Sequence, residues 1–348
     1  MTHPKESVIE TMNESEKRVQ PENEDLKVEW FKAADAPKIP PLFREVYGEE
    51  YPFRMVYESE RILSAYESGE YFPFVVHAGN DRIAAYGALY RSAPFKGIVE
   101  FGQGAVSPSF RKGGLGRKLF EFAEISAPTL PGAEIYFGEA VCNHTTTQKA
   151  GALIKTVETG IEVDLLPGEM YGISLHRVAA VDMFRTFVPK PHTVYIPSVY
   201  EKILRFIYEG FDDIRTIKLS DSGKMPEGNS KLVLQRFDNV RVARLFCEHA
   251  GSDFESALGA EESSLSDAEI RVIQIWLNLS DPAVEETVTI LRRRGFFFGG
   301  LFPRWFDADG MMMQKISGEP DWEGIILYSE RSEKIVELIR SDWERIAG

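Results

Sequence analysis

The sequence predicts a mixed α/β protein made of two similar-sized halves. Three observations carry that expectation. Strand-like and helix-like segments alternate along most of the chain, a glycine-rich turn joins one strand to an amphipathic helix, and Pro189, Pro191 and Pro197 punctuate the middle. The chain has 348 residues, and at about 150 residues per domain two domains are expected. These are 27–188 and 189–348, preceded by an arm over 1–26 that is polar, rich in Glu, Asn and Ser, and expected to be flexible. The apolar fraction of 43% is ordinary for a globular protein and lets each half bury a core.

Order is expected to begin with a short strand at 28–31. An aromatic stretch from Tyr47 to Tyr57 leads into a helix ending at Glu67, closed by Ser68-Gly69. Residues 72–78 and 82–90 are β-rich runs around Gly79-Asn80-Asp81, which reads as a hairpin with a short turn. A strand follows at 98–106. From Gly114, Leu115, Leu119, Phe122 and Ala123 recur at i, i+4, i+7 and i+8, the apolar face of a helix that stops near Pro128. A strand at 134–141, a polar turn and a short helix over 147–153 complete the first half.

Past the prolines, 198–209 reads as a helix with Gly210 at its C-terminal cap position. Strands are expected at 231–236 and 270–279. Asp281 suits an N-cap and Pro282 a first helical position, with Val284, Val288 and Leu291 as the buried stripe. Arg292 to Arg294 complement the helix dipole and Gly295 ends the helix. Strands at 296–301 and 310–316, whose Phe and Met runs belong to a core, precede a last helix at 330–345. The strand–helix–strand layout of 98–140 recurs at 270–301, without a glycine-rich turn.

The net charge of −14 opposes binding to phosphate backbones or anionic lipid, so neither a nucleic-acid nor a membrane partner is expected. Cys142 and Cys247, far apart in sequence, make neither a disulfide framework nor a metal site. With no apolar leader and no run of about 20 apolar residues, the expected location is the cytoplasm.

The informative segment is Ala105-Val106-Ser107-Pro108-Ser109-Phe110-Arg111-Lys112-Gly113-Gly114-Leu115-Gly116. A strand ends, the chain turns, and a helix starts with glycine in its first turn. The first amides of a helix lack internal partners and its dipole favours negative charge there. Glycine removes the Cβ that would hold an anion away. Arg111 and Lys112 add positive charge, and Arg117 and Lys118 follow one turn later. The spacing of neither a Walker loop nor a dinucleotide fingerprint is present.

This string resembles the GNAT superfamily pattern V-x-P-x-x-R-x-x-G-x-G, matched at Val106, Pro108, Arg111, Gly114 and Gly116, and the resemblance extends over about 28–175. It implies a GNAT acyltransferase fold, a twisted mixed sheet with helices on both faces. The second half is then expected to be a degenerate GNAT-like copy without a cofactor turn, which walls the acceptor cleft or mediates assembly. The resemblance further implies acetyl-CoA as co-substrate, with no metal and direct acetyl transfer to an amine-bearing small molecule or peptide. Its pyrophosphate would lie on Arg111, Lys112, Gly113, Gly114, Leu115, Gly116 and Arg117. Its pantetheine arm would run past Ala105 and Val106 in the splay between the strands at 98–106 and 134–141, with Asn143 and Gln148 beyond. A homodimer is allowed.

The rest of the family pattern is altered. His144 stands where Asn is usual, and Gly151 where a Tyr usually protonates the departing sulfur. His144, Cys142 and a tyrosine of the 47–57 stretch remain alternatives for that step, and Glu100 and Glu139, strand carboxylates near the splay, are the candidate bases. Loss of the Tyr also motivates a rival reading, a non-catalytic CoA-binding sensor or regulatory protein.

Overall fold

The computed structural model describes residues 26–79, 81–173, 176–211, 213–221, 225–266 and 269–348. The expected arm at 1–26, apart from Leu26, lies outside the described residues, as does Asn80 of the hairpin turn. In the first half, strands β1 (Val28–Trp30), β2 (Tyr71–His77), β3 (Ile83–Tyr90), β4 (Ile98–Val106), β5 (Ile135–Val141), β6 (Val157–Pro167) and β7 (Arg177–Thr186) are joined by helices α1 (Ile39–Tyr47), α2 (Ser59–Glu67), α3 (Leu115–Ser126) and α4 (Thr146–Leu153). The second half contains β8 (His192–Ile196), α5 (Glu201–Tyr208), β9 (Arg215–Leu219), β10 (Lys231–Phe237), β11 (Val242–His249), α6 (Phe254–Ser266), β12 (Val272–Asn278), α7 (Val284–Arg293), β13 (Phe297–Phe302), β14 (Gly310–Ile316) and α8 (Glu330–Ala347).

The strands form one 12-stranded sheet in the order β1-β2-β3-β4-β5-β7-β6-β13-β14-β12-β11-β10, with β8 and β9 as a separate pair. The halves meet where β6 pairs with β13 at Gly160 and Gly300. A Cβ added at Gly160 would sit 2.6 Å from the Gly300 Cα, so this contact requires glycine on both strands. The largest core cluster draws Ile161 and Val181 from one half and Leu277, Phe298 and Ile339 from the other.

The second half repeats the first in topology. The order β3-β4-β5-β7-β6 is matched by β10-β11-β12-β14-β13, with β4–β5 and β11–β12 parallel and the other neighbours antiparallel. The repeat seen in the sequence is therefore shifted by one unit. The counterpart of 98–140 is β11-α6-β12, not 270–301. Neither β11 nor α6 is legible locally: Arg244 interrupts an apolar run, and α6 is rich in Ser and Glu, with Phe254, Leu258 and Leu265 too sparse to read as a stripe.

The two copies differ at the parallel pair. β4 and β5 pair only from Ile98–Phe101 to Ile135–Gly138 and then separate, whereas β11 and β12 stay paired from Val242–Cys247 to Val272–Leu277. The turn before α6 also carries the wrong charge for an anion. Asp253 there accepts from the amide and hydroxyl of Ser230 at 2.6 and 2.8 Å, and Glu255 opens the helix.

Gly210 differs from its expected role. Glu209 is the C-cap residue of α5, and a Cβ at Gly210 would meet Val157 and Arg331 at 2.6 Å, so the glycine serves close packing. No described helix is long and apolar enough to cross a membrane.

Candidate active site

The turn between β4 and α3 is built as the string suggests. A 3-10 turn spans Pro108–Gly113 and Gly114 takes the left-handed conformation, φ 70°, that favours glycine. Arg82 and Glu45 both bond the Ser107 hydroxyl at 3.0 Å and fix where the turn starts. A Cβ at Gly104, Gly114 or Gly116 would meet nothing within 4 Å, so open space lies over the turn. Arg111, Lys112 and Arg117 are exposed around it, while the Leu115 side chain enters the core. The amides that open α3 have no partner within the helix, which suits them to an anion.

Beside this turn lies a cavity of about 320 Å³, lined by residues from β4, β5, the 47–53 segment, the β6–β7 connection and the β10–β11 corner. Val106, Gly116, Glu100, Glu139 and His144 all border it, so the structure brings the anion turn and the predicted acid–base residues to one space. Ala105 is buried beside it.

Glu100 is only 5% exposed and accepts from the Tyr90 hydroxyl. Gly102 makes that possible, because a Cβ there would lie 2.4 Å from the Tyr90 oxygen. Burial, then the charge of Glu139, push the Glu100 carboxyl up to about 7. Burial and the neighbouring Glu162 push Glu139 up to about 8, against the pull of Arg244. Arg244 Nη2 reaches Glu139 at 3.0 Å and Glu162 at 2.9 Å, and its Nε donates to Gln274 at 3.0 Å. The guanidinium lies over Phe237 and Trp276, 5.8 and 5.5 Å from the ring centres. Asp182, fully buried nearby, is raised well above the usual carboxylate range by desolvation and by Glu162 and Glu139. Carboxyls thus outnumber the one guanidinium, so burial and mutual repulsion raise Glu100, Glu139 and Asp182 together.

Several sequence expectations take a different form. Gln148 is buried, and its amide donates to the Ile326 carbonyl at 2.8 Å and accepts from the Tyr328 amide at 2.9 Å. Both ends of the side chain clamp the segment before α8 to α4. Asn143 lies outside the cavity lining, with its Oδ1 buried and unpaired among the described residues. Cys142 is fully buried, and burial pushes its thiol up, which leaves it a core residue. At Gly151 a Cβ would meet the Met183 sulfur at 2.6 Å, so no tyrosine fits there without repacking.

The sequence reading missed Arg244 and Phe237, which the second half contributes to the cavity, and Tyr90 and Tyr171 from the first. Tyr47 also lines the cavity and donates to the Gly104 carbonyl at 2.8 Å, with burial pushing its hydroxyl up to about 12.

Comparison with known proteins bears on the same region. The model of the acetyltransferase (GNAT) family matches residues 36–148. No curated protein matches the chain. Similar solved structures include yncA of Salmonella typhimurium with its cofactor acetyl-CoA, at 15% identity and TM-score 0.39 over 48% of this chain and 96% of that one. An N-acetyltransferase of Staphylococcus aureus Mu50 gives 10% and 0.39 over 47% and 98%. A ribosomal-protein-S5-alanine acetyltransferase of Vibrio fischeri gives 14% and 0.38 over 46% and 91%. The family model, which spans the β4–α3 turn and the strands that diverge beside it, identifies residues 36–148 as a GNAT-family acetyltransferase domain.

Proposed function

We propose that the protein transfers an acetyl group from acetyl-CoA to a primary amine. The observation that carries this reading is the junction of an open, amide-rich turn at Gly114, a gap between β4 and β5, and a cavity bordered by Glu100 and Glu139. The pyrophosphate would rest on the first amides of α3, flanked by Arg111, Lys112 and Arg117. The pantetheine arm would lie in the β4–β5 gap, where its amides meet unpaired strand edges.

Glu139 is the proposed base. It is the more open of the two carboxyls, its side chain 23% exposed, and a carboxyl raised toward neutrality is suited to accept a proton from an ammonium group. The neutral nitrogen then attacks the thioester carbonyl, the carbon–sulfur bond breaks, the thiolate leaves, and the second proton of the acetylated nitrogen passes to the departing sulfur or to solvent. A thiolate is a tolerable leaving group, so the missing Tyr at Gly151 is compatible with turnover, and His144 and Tyr47, which border the cavity, are the proposed proton donors. The turn of the second half lacks positive charge and its strands stay paired, which supports a single cofactor site per chain and a walling role for 189–348.

The test is release of free thiol from acetyl-CoA by the full chain, with and without added primary amine. Amine-dependent release is expected. Acetyl-CoA binding without release to any amine would favour a CoA-binding sensor instead.

A further inference from the structure

The charges around the cavity restrict the acceptor, an inference that rests on the acetyl-transfer reading. The lining contains two carboxyls, Glu100 and Glu139, one guanidinium, Arg244, and His144. Its remaining surface is dominated by aromatic and aliphatic side chains. Arg244 already bonds Glu139 and Glu162, so no uncommitted guanidinium awaits an acceptor carboxylate. Away from Glu100 and Glu139 the lining has no carboxyl to meet a second ammonium group.

The aromatic wall adjoins the acids directly. Tyr90, which bonds Glu100, lies 6.4 Å from Phe53 between ring centres. Phe53 in turn meets Phe237 of the second half edge to face at 6.1 Å. Asn239 bonds the Pro52 carbonyl at 3.2 Å and fastens this corner across the halves. We infer that the acceptor is a monoamine with an apolar, aromatic body, its nitrogen at Glu100 and Glu139 and its ring against Phe53, Tyr90 and Phe237. Aromatic faces favour both an apolar body and a nearby ammonium group. A polyamine or a lysine peptide would bring charges or amides that this wall leaves unpaired.

The experiment is calorimetric titration of the full chain, with CoA present, using 2-phenylethylamine, spermidine and the tripeptide Gly-Lys-Gly, followed by acetyl-transfer assays with each. Expected is binding of 2-phenylethylamine at least about tenfold tighter than either other amine, with Phe237→Asp weakening it about 10- to 100-fold, the scale of a lost apolar contact. Spermidine or the peptide binding as tightly, or 2-phenylethylamine failing to bind, overturns the assignment. The two readings fail separately. Preferential acetylation of spermidine defeats the monoamine class and leaves acetyl transfer intact. Preferential binding of 2-phenylethylamine with acetylation of none of the three amines defeats acetyl transfer and leaves the ligand class.

Discussion

Glu139→Gln is expected to lower kcat/KM for acetyl transfer by about 10²–10⁴-fold, the usual contribution of a positioned base, with little change in acetyl-CoA affinity. Glutamine keeps the size and a contact with Arg244 but cannot take a proton. The pH profile supplies an independent sign. A carboxylate base works only when deprotonated, so with Glu139 raised to about 8 the wild-type kcat/KM should climb through that region and level off above it. In Glu139→Gln this climb should vanish. Glu100→Gln should cost less, because Glu100 is more enclosed and already bonded by Tyr90. If Glu100→Gln abolishes activity while Glu139→Gln retains the wild-type profile, the assignment of the base is reversed.

Arg244→Met is expected to destabilise the fold by about 3–5 kcal/mol, the scale for removing one partner of a buried ion pair. The guanidinium is 15% exposed and bonds two carboxylates. Its loss leaves these facing each other and raises Glu139 further. A carboxyl whose folded pKa is raised opposes folding while ionised, and the penalty fades as pH falls through that pKa. The defect should therefore be largest above pH 8 and shrink toward pH 6, as read by urea unfolding at several pH values. Adding Glu139→Gln to Arg244→Met should recover part of the loss. A defect independent of pH would mean that Arg244 acts by packing between Phe237 and Trp276.

What the sequence disclosed and what it hid follow from range. The β4–α3 turn is a local object: its glycines, cations and following apolar stripe lie within a few residues, so both its place and its anion chemistry are readable. The Asp281 turn is local too, its carboxylate accepting from the Ala283 amide at 2.9 Å, but α7 starts two residues later than expected, with Ala283 rather than Asp281 as the N-cap residue. Arg244 meets Glu139 across 105 residues of sequence, and nothing local marks an arginine in an apolar run as part of a cavity. β6 and β7 went unread because both faces are buried while Glu162, Asp164 and Asp182 interrupt the apolar pattern. α1 was hidden by Pro40 and Pro41, which stand in its first turn, where proline fits. The partners of Gln148, Ile326 and Tyr328, lie about 180 residues away and meet it only through the fold, so nothing local marks this clamp.

The most direct measurement is calorimetric titration of acetyl-CoA into the wild-type chain beside Gly114→Glu and Gly116→Glu. The first variant places a carboxylate at a left-handed position, while Gly116, whose φ is negative, brings the charge without that strain. Binding to wild type, with affinity reduced at least about 100-fold in both variants, is the result expected of a pyrophosphate held on the first amides of α3. No binding to wild type, or equal binding by both folded variants, would contradict it.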